Sequence, residues 1–270
     1  MKKNIIAFLI SFLLLQNAVF ANAIKFIQVT DTHYKSEEPY RGEVLEATVN
    51  SINKEKDISF VIFTGDNIDV ANPKYLYGFM DIVKHLNIPY YVVIGNHDVF
   101  KSGGLSKELY MEILGKYNWF YKFKKPNYVF KKNGFVFIVF DNVKEVIPGP
   151  LGYLKESSLV WLDKQLHKYR NKNVVIFQHI PLTAEKEVAS HMIFQREKYY
   201  EILDKYDNVI TIVSGHLHSN GEIMRNGVYH ISTPTLLKDY HPYKIITIST
   251  TKNFSPMVYT ELKEVEMPQK

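Results

Sequence analysis

The 270-residue chain contains no cysteine. It therefore has no disulfide framework, no thiolate zinc site and no thiol nucleophile. The same absence removes the acylation site that a bacterial lipoprotein needs, so lipid anchoring by that route is not expected. From Ile24 onward the chain also lacks low-complexity stretches and internal repeats, which predicts one folded domain over residues 24–270.

A concentrated basic patch is also absent from the sequence. The formal net charge is +5, from 33 basic and 28 acidic residues, and the basic residues are scattered. Lys2 and Lys3 lie in a predicted leader, and without them the charge is +3. So small an excess does not predict a specific nucleic-acid partner. A composition of 46% hydrophobic and 23% charged residues is instead typical of a folded globular protein.

Residues 1–23 have the pattern of a secretory signal peptide. Lys2 and Lys3 form the charged start, Ile5 to Leu15 is an apolar run of 11 residues, and Ala21-Asn22-Ala23 is a small-x-small cleavage site. Because a membrane span needs about 20 apolar residues, cleavage after Ala23 is favoured over retention as an anchor. We therefore expect an exported protein, periplasmic or secreted, that meets the membrane only transiently through its leader.

Strand and helix patterns alternate along the chain, which predicts an α/β fold. Strands are predicted at Ile24 to Thr30, Ile58 to Thr64, Tyr90 to Ile94, Val174 to Gln178 and Val209 to Ser214. The second of these is a near-continuous apolar run, which is typical of a strand buried on both faces. Helices are predicted at Glu43 to Lys54, Pro73 to His85, Ser157 to Tyr169 and Glu197 to Lys205. Hairpin turns are predicted at Asn133-Gly134 and Asn226-Gly227. The last predicted strands are Tyr243 to Ser249 and Phe254 to Tyr259. Hairpins among the other strands indicate mixed sheets. The expected architecture is a layered αββα sandwich with two mixed sheets flanked by helices.

Polar side chains stand directly after the five predicted buried strands. In α/β sheets, ligand sites form beyond the carboxyl ends of the strands. The residues that follow these strands are, in order, Asp31-Thr32-His33, Gly65-Asp66-Asn67, Gly95-Asn96-His97-Asp98, His179 and Gly215-His216-Leu217-His218. The histidines outside these motifs, interpreted as ordinary surface or core residues, are His85, His167, His191, His230 and His241. Five strand ends that converge on one edge predict one shared site.

The residue types at these strand ends suit a hard to borderline metal ion. Imidazole, carboxylate and amide donors fit manganese, iron or zinc, while the lack of thiolate removes the structural-zinc alternative. In Asp-x-His and His-x-His, two side chains leave an extended segment on the same side. Seven ligands that include two Asp, one of them shared, could hold two cations about 3.5–4 Å apart.

The ordered set of motifs resembles the calcineurin-like metallophosphoesterase superfamily. The pattern D-x-H, G-D, G-N-H-D/E, H and G-H-x-H is present in that order from Asp31 to His218. This form is similar to the cyclic-nucleotide phosphodiesterase and purple-acid-phosphatase-like branches. The resemblance implies a phosphoric ester hydrolase whose cofactors are two divalent or trivalent metal ions.

The resemblance also implies a role for each motif residue. The ligands of the first metal ion would be Asp31, His33 and His218, those of the second Asn96, His179 and His216, with Asp66 bridging both. His97 would protonate the leaving group or stabilise phosphoryl charge, Asp98 would orient His97, and Asn96 would also offset charge on the phosphoryl oxygens. Asp69 matches a family position, although an exposed loop carboxylate is an equal alternative.

In the implied mechanism, a hydroxide that bridges the two metal ions attacks phosphorus in line. A fall in the pKa of water from 15.7 to about 7 favours the hydroxide by about 12 kcal/mol. The expected substrate is a small-molecule phosphodiester or phosphomonoester, and export points to scavenging of nucleotides, phospholipid head groups or phosphorylated sugars. Two alternatives stay open: a non-catalytic metal-binding scaffold on the same fold, and a nuclease of the same superfamily.

Loops after strand ends carry specificity, so two further segments are candidate walls of the site. Ser102 to Pro126, which contains Trp119, Phe120, Tyr121 and Phe123, predicts either a lid or an ordinary packed insertion. Pro148-Gly149-Pro150 with Tyr153 is the second candidate. Asp141-Asn142 also follows a strand end and is interpreted as a turn.

Overall fold

The computed structural model describes residues 22–117, 124–251 and 254–268. Most of the predicted leader, and the four aromatic residues Trp119, Phe120, Tyr121 and Phe123, lie outside these ranges. The first strand begins at Asn22, so cleavage after Ala23 would leave that strand from Ile24 onward. Within the described ranges, no helix is both long and apolar enough to cross a membrane.

The described residues form eleven strands and five α-helices. The strands are β1 (Asn22–Val29), β2 (Val61–Phe63), β3 (Tyr90–Val92), β4 (Tyr128–Lys132), β5 (Phe135–Val139), β6 (Val174–Phe177), β7 (Val209–Ser214), β8 (Gly221–Arg225), β9 (Val228–Ser232), β10 (Pro242–Thr251) and β11 (Phe254–Glu264). The helices are α1 (Pro39–Ile52), α2 (Pro73–Val83), α3 (Lys107–Tyr117), α4 (Glu156–Lys168) and α5 (Glu197–Leu203). Two short 3₁₀ turns span Lys101–Gly103 and Ala189–His191.

The strands form two mixed sheets. The first has the order β11-β10-β1-β2-β3, in which β1, β2 and β3 are parallel and the last two strands of the chain run antiparallel. The second has the order β4-β5-β6-β7-β9-β8, with four parallel central strands and an antiparallel strand at each edge. Helices flank both sheets: α1 contacts α2, α2 contacts α3, and α4 contacts α5. The predicted αββα sandwich is confirmed.

A layer of phenylalanine side chains fills the space between the sheets. Phe26 of β1 stacks on Phe60, with ring centroids 5.0 Å apart. From the other sheet, Phe137 of β5 and Phe177 of β6 meet Phe26 edge-on at 6.0 and 5.5 Å. Such aromatic pairs contribute about 0.5–1.5 kcal/mol each beyond their buried area. The layer fixes one sheet against the other, which matters because the predicted ligands come from both.

Cap and turn residues set the element boundaries as predicted. Asn72 accepts a hydrogen bond from the Lys74 amide at 2.9 Å, and Pro73 occupies the first turn of α2. The two hairpins turn at Asn133-Gly134 and Asn226-Gly227, where all four residues have positive φ between 48° and 83°. These turns join β4 to β5 and β8 to β9, and such Asn-Gly pairs match the right-handed twist of the flanking strands.

Some boundaries differ from the predicted ones. β2 covers only Val61–Phe63 of the apolar run from Ile58 to Thr64, because its parallel pairing with both neighbours spans three residues. α1 starts four residues earlier than predicted, at Pro39, since a proline in the first turn has no N–H to leave unsatisfied. α3 was not predicted; it buries Tyr110 and Leu114, so this part of the segment is a packed insertion.

Candidate metal centre

Loops at the carboxyl ends of five strands bring the predicted site residues to one edge of the sandwich. Those after β1, β2 and β3 come from the first sheet, and those after β6 and β7 come from the second. The Asp31 amide donates to the carbonyl oxygen of Gly65 at 3.0 Å, which ties two loops of the first sheet together. The His216 amide donates to Asp31 Oδ2 at 3.0 Å, which joins the two sheets at the site.

The side chains form three overlapping groups in which the ligand atoms lie within 4.8 Å of one another. The groups are Asp31, His33 and His218; Asp66, His179 and His216; and His33, Asp66 and His97. Asn96 joins the second group, because its Oδ1 lies 3.0 Å from His179 Nε2. Asp66 neighbours residues of both implied ligand sets, which is the position that a bridging carboxylate requires.

The donor atoms of the centre fit metal ions. Among the described residues, Asp31 Oδ1, His33 Nδ1 and His216 Nε2 are buried without a hydrogen-bond partner; for Asp31 Oδ1, the nearby His218 Nε2 lies 3.3 Å away. An unsatisfied buried polar atom costs about 1–3 kcal/mol. Coordination to a cation would satisfy Asp31 Oδ1 and His216 Nε2, whereas His33 presents its other ring nitrogen, Nε2, which lies 3.4 Å from His218 Nε2. Nitrogen and oxygen donors suit manganese, iron or zinc.

The backbone of the ligand loops is held in the left-handed region. Asp31, His33, Asp66, His216 and His218 have φ between 42° and 70°. This conformation costs a non-glycine residue of order 1–3 kcal/mol and persists only where surrounding contacts enforce it. For Asp31 those contacts include hydrogen bonds to Oδ2 from the Thr30 hydroxyl at 2.6 Å and from the His216 amide at 3.0 Å.

Gly65 provides the close approach that places His179. Its φ is +98°, and a Cβ atom on it would lie 2.5 Å from His179 Nδ1. His179 Nδ1 donates a hydrogen bond to the carbonyl oxygen of Thr64 at 2.9 Å. The other ring nitrogen, Nε2, therefore faces the centre, 3.2 Å from Asp66 Oδ2. A backbone carbonyl on one ring nitrogen is the usual device that directs the other nitrogen to a metal ion.

Asp66 dominates the electrostatics of the centre. Burial raises its pKa, but the charge and hydrogen bond of His179 outweigh burial and hold that pKa far below the usual range. Burial lowers the pKa of His179, but the Asp66 carboxylate outweighs burial and raises it to about 9. Burial lowers the pKa of His216 to about 3. A proton on His179 therefore balances Asp66 in the metal-free protein, and a bound cation would replace that proton.

His97 lies on the exposed side of the centre. Its ring centroid is 4.9 Å from that of His33, and its amide donates to Asp66 Oδ1 at 2.8 Å. Its ring Nδ1 lies 2.7 Å from the carbonyl oxygen of Asp69. A carbonyl oxygen can only accept a hydrogen bond, so Nδ1 carries a hydrogen. The other ring nitrogen, Nε2, is therefore the one that can contact a substrate.

The prediction that Asp98 orients His97 is wrong. The fully buried Asp98 carboxylate accepts from the Gly95 amide at 2.7 Å, the Ile68 amide at 3.0 Å and Asn67 Nδ2 at 3.0 Å. Burial, followed by the charge of Asp66, raises the pKa of Asp98 to about 7. Asp98 therefore secures the turn that carries His97, whereas the backbone of Asp69 positions the ring.

The Asp69 side chain forms an ion pair in the structure. Its Oδ1 lies 2.6 Å from Arg41 Nη1, and the same nitrogen donates to the carbonyl oxygen of His33 at 2.7 Å. Asp69 Oδ1 is 4.0 Å from His33 Nδ1. Asp69 thus supports the loop of one ligand through Arg41, while its carbonyl supports His97.

A cleft of about 690 Å³ opens above the centre. Its floor contains Asp66, Asn96, His97, His216 and His218, and its walls contain Val70, Ala71, Val99, Phe100, Gly103, Pro148, Gly149, Pro150 and His191. The prediction that Pro148-Gly149-Pro150 lines the site is confirmed, whereas Tyr153 borders a separate depression. A larger groove of about 920 Å³, between α1 and residues 264–268, is rich in glutamate and contains none of the predicted site residues.

His191 is a site residue that the sequence interpretation missed. Its ring centroid lies 5.3 Å from that of His216, and it lines the cleft. Its Nδ1 is 2.9 Å from the Ser190 hydroxyl. No strand end or motif marks it, because the loop that follows His179 carries it back to the cleft. His230 and His241, by contrast, are buried away from the centre, as expected.

The chain is similar to known phosphoesterases. The family profile described as calcineurin-like phosphoesterase matches residues 24–220. A probable glycerophosphodiester phosphodiesterase of Arcobacter nitrofigilis is 31% identical over 202 residues, which cover 71% of each chain. A probable cyclic nucleotide phosphodiesterase of Colwellia psychrerythraea is 26% identical over 222 residues, covering 79% of this chain and 78% of the relative.

Solved structures share the fold. A dimetal phosphatase from Danio rerio superposes with a TM-score of 0.66 at 17% identity, covering 88% of this chain and 98% of the other. A purple acid phosphatase from yellow lupin superposes with a TM-score of 0.56 at 14% identity, covering 90% of this chain and 52% of the other. At these identities the two matches support the αββα architecture alone.

Proposed function

Because the chain belongs to the calcineurin-like phosphoesterase family, we propose that it is an exported hydrolase of small phosphodiesters. The observation that carries the proposal is the complete set of donor residues around Asp66, with unpartnered buried donor atoms on both sides of it. A scaffold protein that had lost catalysis would not need this set, so we favour the enzyme over the scaffold alternative.

Each residue of the centre is assigned a part in this reaction. Asp31, His33 and His218 would hold one metal ion, Asn96, His179 and His216 the other, and Asp66 both. When bound, such ions supply positive charge against the phosphoryl oxygens and make water acidic enough to attack near neutral pH.

His97 would serve the leaving group. Because Nδ1 is committed to the Asp69 carbonyl, a neutral ring has no hydrogen on Nε2. The proton given to the departing oxygen would therefore come from Nε2 of the protonated ring, which the Asp69 carbonyl holds in place through Nδ1. Such a general acid contributes typically about 10²–10⁴-fold to the rate.

The charge of the cleft favours a diester over a monoester. Among the described residues that line it, Asp66 is the only carboxylate and no lysine or arginine is present. A phosphomonoester carries about two negative charges at neutral pH, whereas a diester carries one, so the monoester needs cationic side chains more. The Arcobacter and Colwellia relatives are both named as phosphodiesterases, which supports the same choice.

The size of the cleft and the weak charge of the chain support a small molecule as substrate rather than nucleic acid. A volume of about 690 Å³ lies within the range of small-molecule sites. Export is proposed from the leader pattern in residues 1–23 alone. Detection of the protein only in the cytoplasm after cell fractionation would remove that part of the proposal.

The test of the proposed function compares bis(p-nitrophenyl) phosphate with p-nitrophenyl phosphate, using the chain without residues 1–23. We expect manganese-dependent turnover that favours the diester, stops with chelator, and is lost in Asp66→Ala. Lys54→Ala, in the groove between α1 and residues 264–268, is the matched control and should keep full activity. Equal or faster monoester turnover would overturn the diester assignment.

A further inference from the structure

Residues 141–153, here called the strap, form part of the cleft wall. Their middle portion, Pro148-Gly149-Pro150, lines the cleft beside Phe100 and Gly103. The strap has no regular secondary structure, so its position depends on what holds it at either side. The residues that hold it identify which side chains control the shape of the cleft.

Lys107 of α3 holds one side of the strap. Its ammonium donates to Asp141 Oδ2 at 2.5 Å and to the carbonyl oxygen of Val143 at 2.7 Å. Its amide donates to Glu145 Oε2 at 2.9 Å. Lys107 is only 6% exposed, and a lysine is almost never so buried unless it is paired. The carbonyl oxygen of Glu145 in turn accepts from the Lys101 amide at 2.7 Å, next to Phe100.

The other side of the strap is tied to the loop that carries His191. Asn142 Nδ2 donates to the carbonyl oxygen of Ile180 at 2.6 Å, and the Ile180 amide donates back to Asn142 Oδ1 at 3.2 Å. The Gly152 amide donates to the carbonyl oxygen of Met192 at 3.0 Å, and the Phe194 amide donates to the carbonyl oxygen of Gly152 at 2.9 Å. The strap therefore links Phe100 on one side to His191 on the other.

The wall that results is apolar. Above the floor of the centre, the described lining residues are Val70, Ala71, Val99, Phe100, Pro148, Pro150 and His191, together with two glycines. No described residue of this wall carries a fixed charge. Such a surface gains from an apolar group placed on it and offers no charged partner to a second phosphate or to an ammonium group.

We propose that the strap is the selectivity wall of the enzyme. It accepts an uncharged, apolar organic group of the diester between Phe100 and Pro148–Pro150. Lys107 is the positioning residue that fixes the strap. This inference rests on the proposed function. It adds that the preferred diester has its only charge on the phosphoryl group. It also explains why a lysine is buried in a segment that takes no part in the chemistry.

The test uses three diesters that share p-nitrophenol as the leaving group, so that the bond broken is the same. The second group on phosphorus is ethyl, phenyl or choline. We expect the phenyl diester to have kcat/KM about tenfold or more above the ethyl diester, mainly through KM, since apolar contacts of this size give about 10–200-fold. The choline diester should stay below the phenyl diester, because its charge loses water on an apolar wall and gains only the face of the Phe100 ring.

Three variants connect the preference to the strap. Lys107→Met should remove most of the phenyl preference by raising KM for the phenyl diester, while kcat for the ethyl diester stays within about twofold. Lys107→Arg, which retains the charge, should recover part of the preference. Phe100→Ala is half-exposed and keeps the buried pair intact, so it should fold normally and also reduce the preference, even if Lys107→Met proves unstable.

The outcomes separate the two proposals. Turnover of all three diesters with no phenyl preference, or a preference that survives both Lys107→Met and Phe100→Ala, would overturn the selectivity wall and leave the proposed hydrolase standing. Faster turnover of the choline diester than of the phenyl diester would overturn the assigned substrate class. No turnover of any of the three by metal-loaded protein would instead mean that the proposed function itself has failed.

Discussion

The two ring nitrogens of His97 have different tasks. Nδ1 is fixed on the carbonyl oxygen of Asp69, and Nε2 is free to meet a leaving group above the centre. A proton from Nε2 matters only when the departing oxygen is a poor leaving group, because a nitrophenolate leaves without protonation.

Replacement of His97 by asparagine should therefore depend on the leaving group. For an alkyl diester we expect His97→Asn to lower kcat about 10²–10⁴-fold, and for a p-nitrophenyl diester by much less. The measurement is kcat for both diesters in wild type and variant. His85→Asn, at an exposed histidine beyond the carboxyl end of α2 and outside the cleft, is the control that should change neither. Equal losses for both leaving groups would contradict a role as general acid.

The ligand loops show which parts of the fold were predictable. The five buried strands, the hairpins at Asn-Gly pairs and the convergence of the motifs followed from apolar runs and turn residues, because these patterns are local. The left-handed conformation of Asp66 and its neighbours could not be predicted, since it is imposed by contacts between loops that are distant in sequence. For the same reason the sequence did not reveal His191 as a residue of the cleft or the true contacts of Asp98. Loop packing, and not spacing along the chain, determines which residues lie beside them.

Gly65 provides a test of the strained turn after β2. Gly65→Ala places a methyl group against His179, on a backbone with φ of +98°, so His179 must move away from Asp66. We expect metal affinity to fall roughly 10–100-fold, as for other changes that misplace a ligand from behind. Gly227→Ala is the matched control, because φ there is +79° but no atom lies within 4 Å of the added Cβ.

Both alanine variants should lose about 1–2 kcal/mol of unfolding free energy from left-handed strain. Only Gly65→Ala should also lose metal affinity, measured by titration of the metal-free protein. If Gly65→Ala binds metal as tightly as Gly227→Ala, the close approach of Gly65 to His179 does not position this ligand.

The whole molecule brings its chemistry together by stacking two sheets, since neither sheet carries all the ligands. The cross-sheet hydrogen bond from the His216 amide to Asp31 and the phenylalanine layer around Phe26 hold this arrangement. A metal ion bound by residues of both sheets would stabilise the folded state by mass action, by about 4 kcal/mol at 1,000 times its Kd.

Stability of the folded molecule should also fall in mild acid through His230, far from the centre. Burial lowers the pKa of His230 to about 4, whereas an unfolded histidine has a pKa of about 6.5. The unfolded state therefore gains the proton first, so stability is full above pH 6.5 and declines as pH falls toward 4. The shift corresponds to about 3 kcal/mol.

Urea unfolding of the metal-loaded protein between pH 7.5 and 4.5 measures this decline. In His230→Leu, which cannot take up a proton, we expect a flatter dependence on pH than in wild type, and the difference between the two curves isolates His230. Parallel curves over this range would show that His230 does not remain neutral in the folded protein.

The most direct measurement determines metal content and diester hydrolysis on the same samples of wild type and Asp66→Ala. If Asp66 bridges a dinuclear centre that performs the reaction, wild type will contain about two ions per chain and will hydrolyse bis(p-nitrophenyl) phosphate. Folded Asp66→Ala will then lose at least one ion together with nearly all turnover. Undiminished hydrolysis by Asp66→Ala, or by wild-type protein stripped of metal, would contradict a metal-dependent reaction at this site.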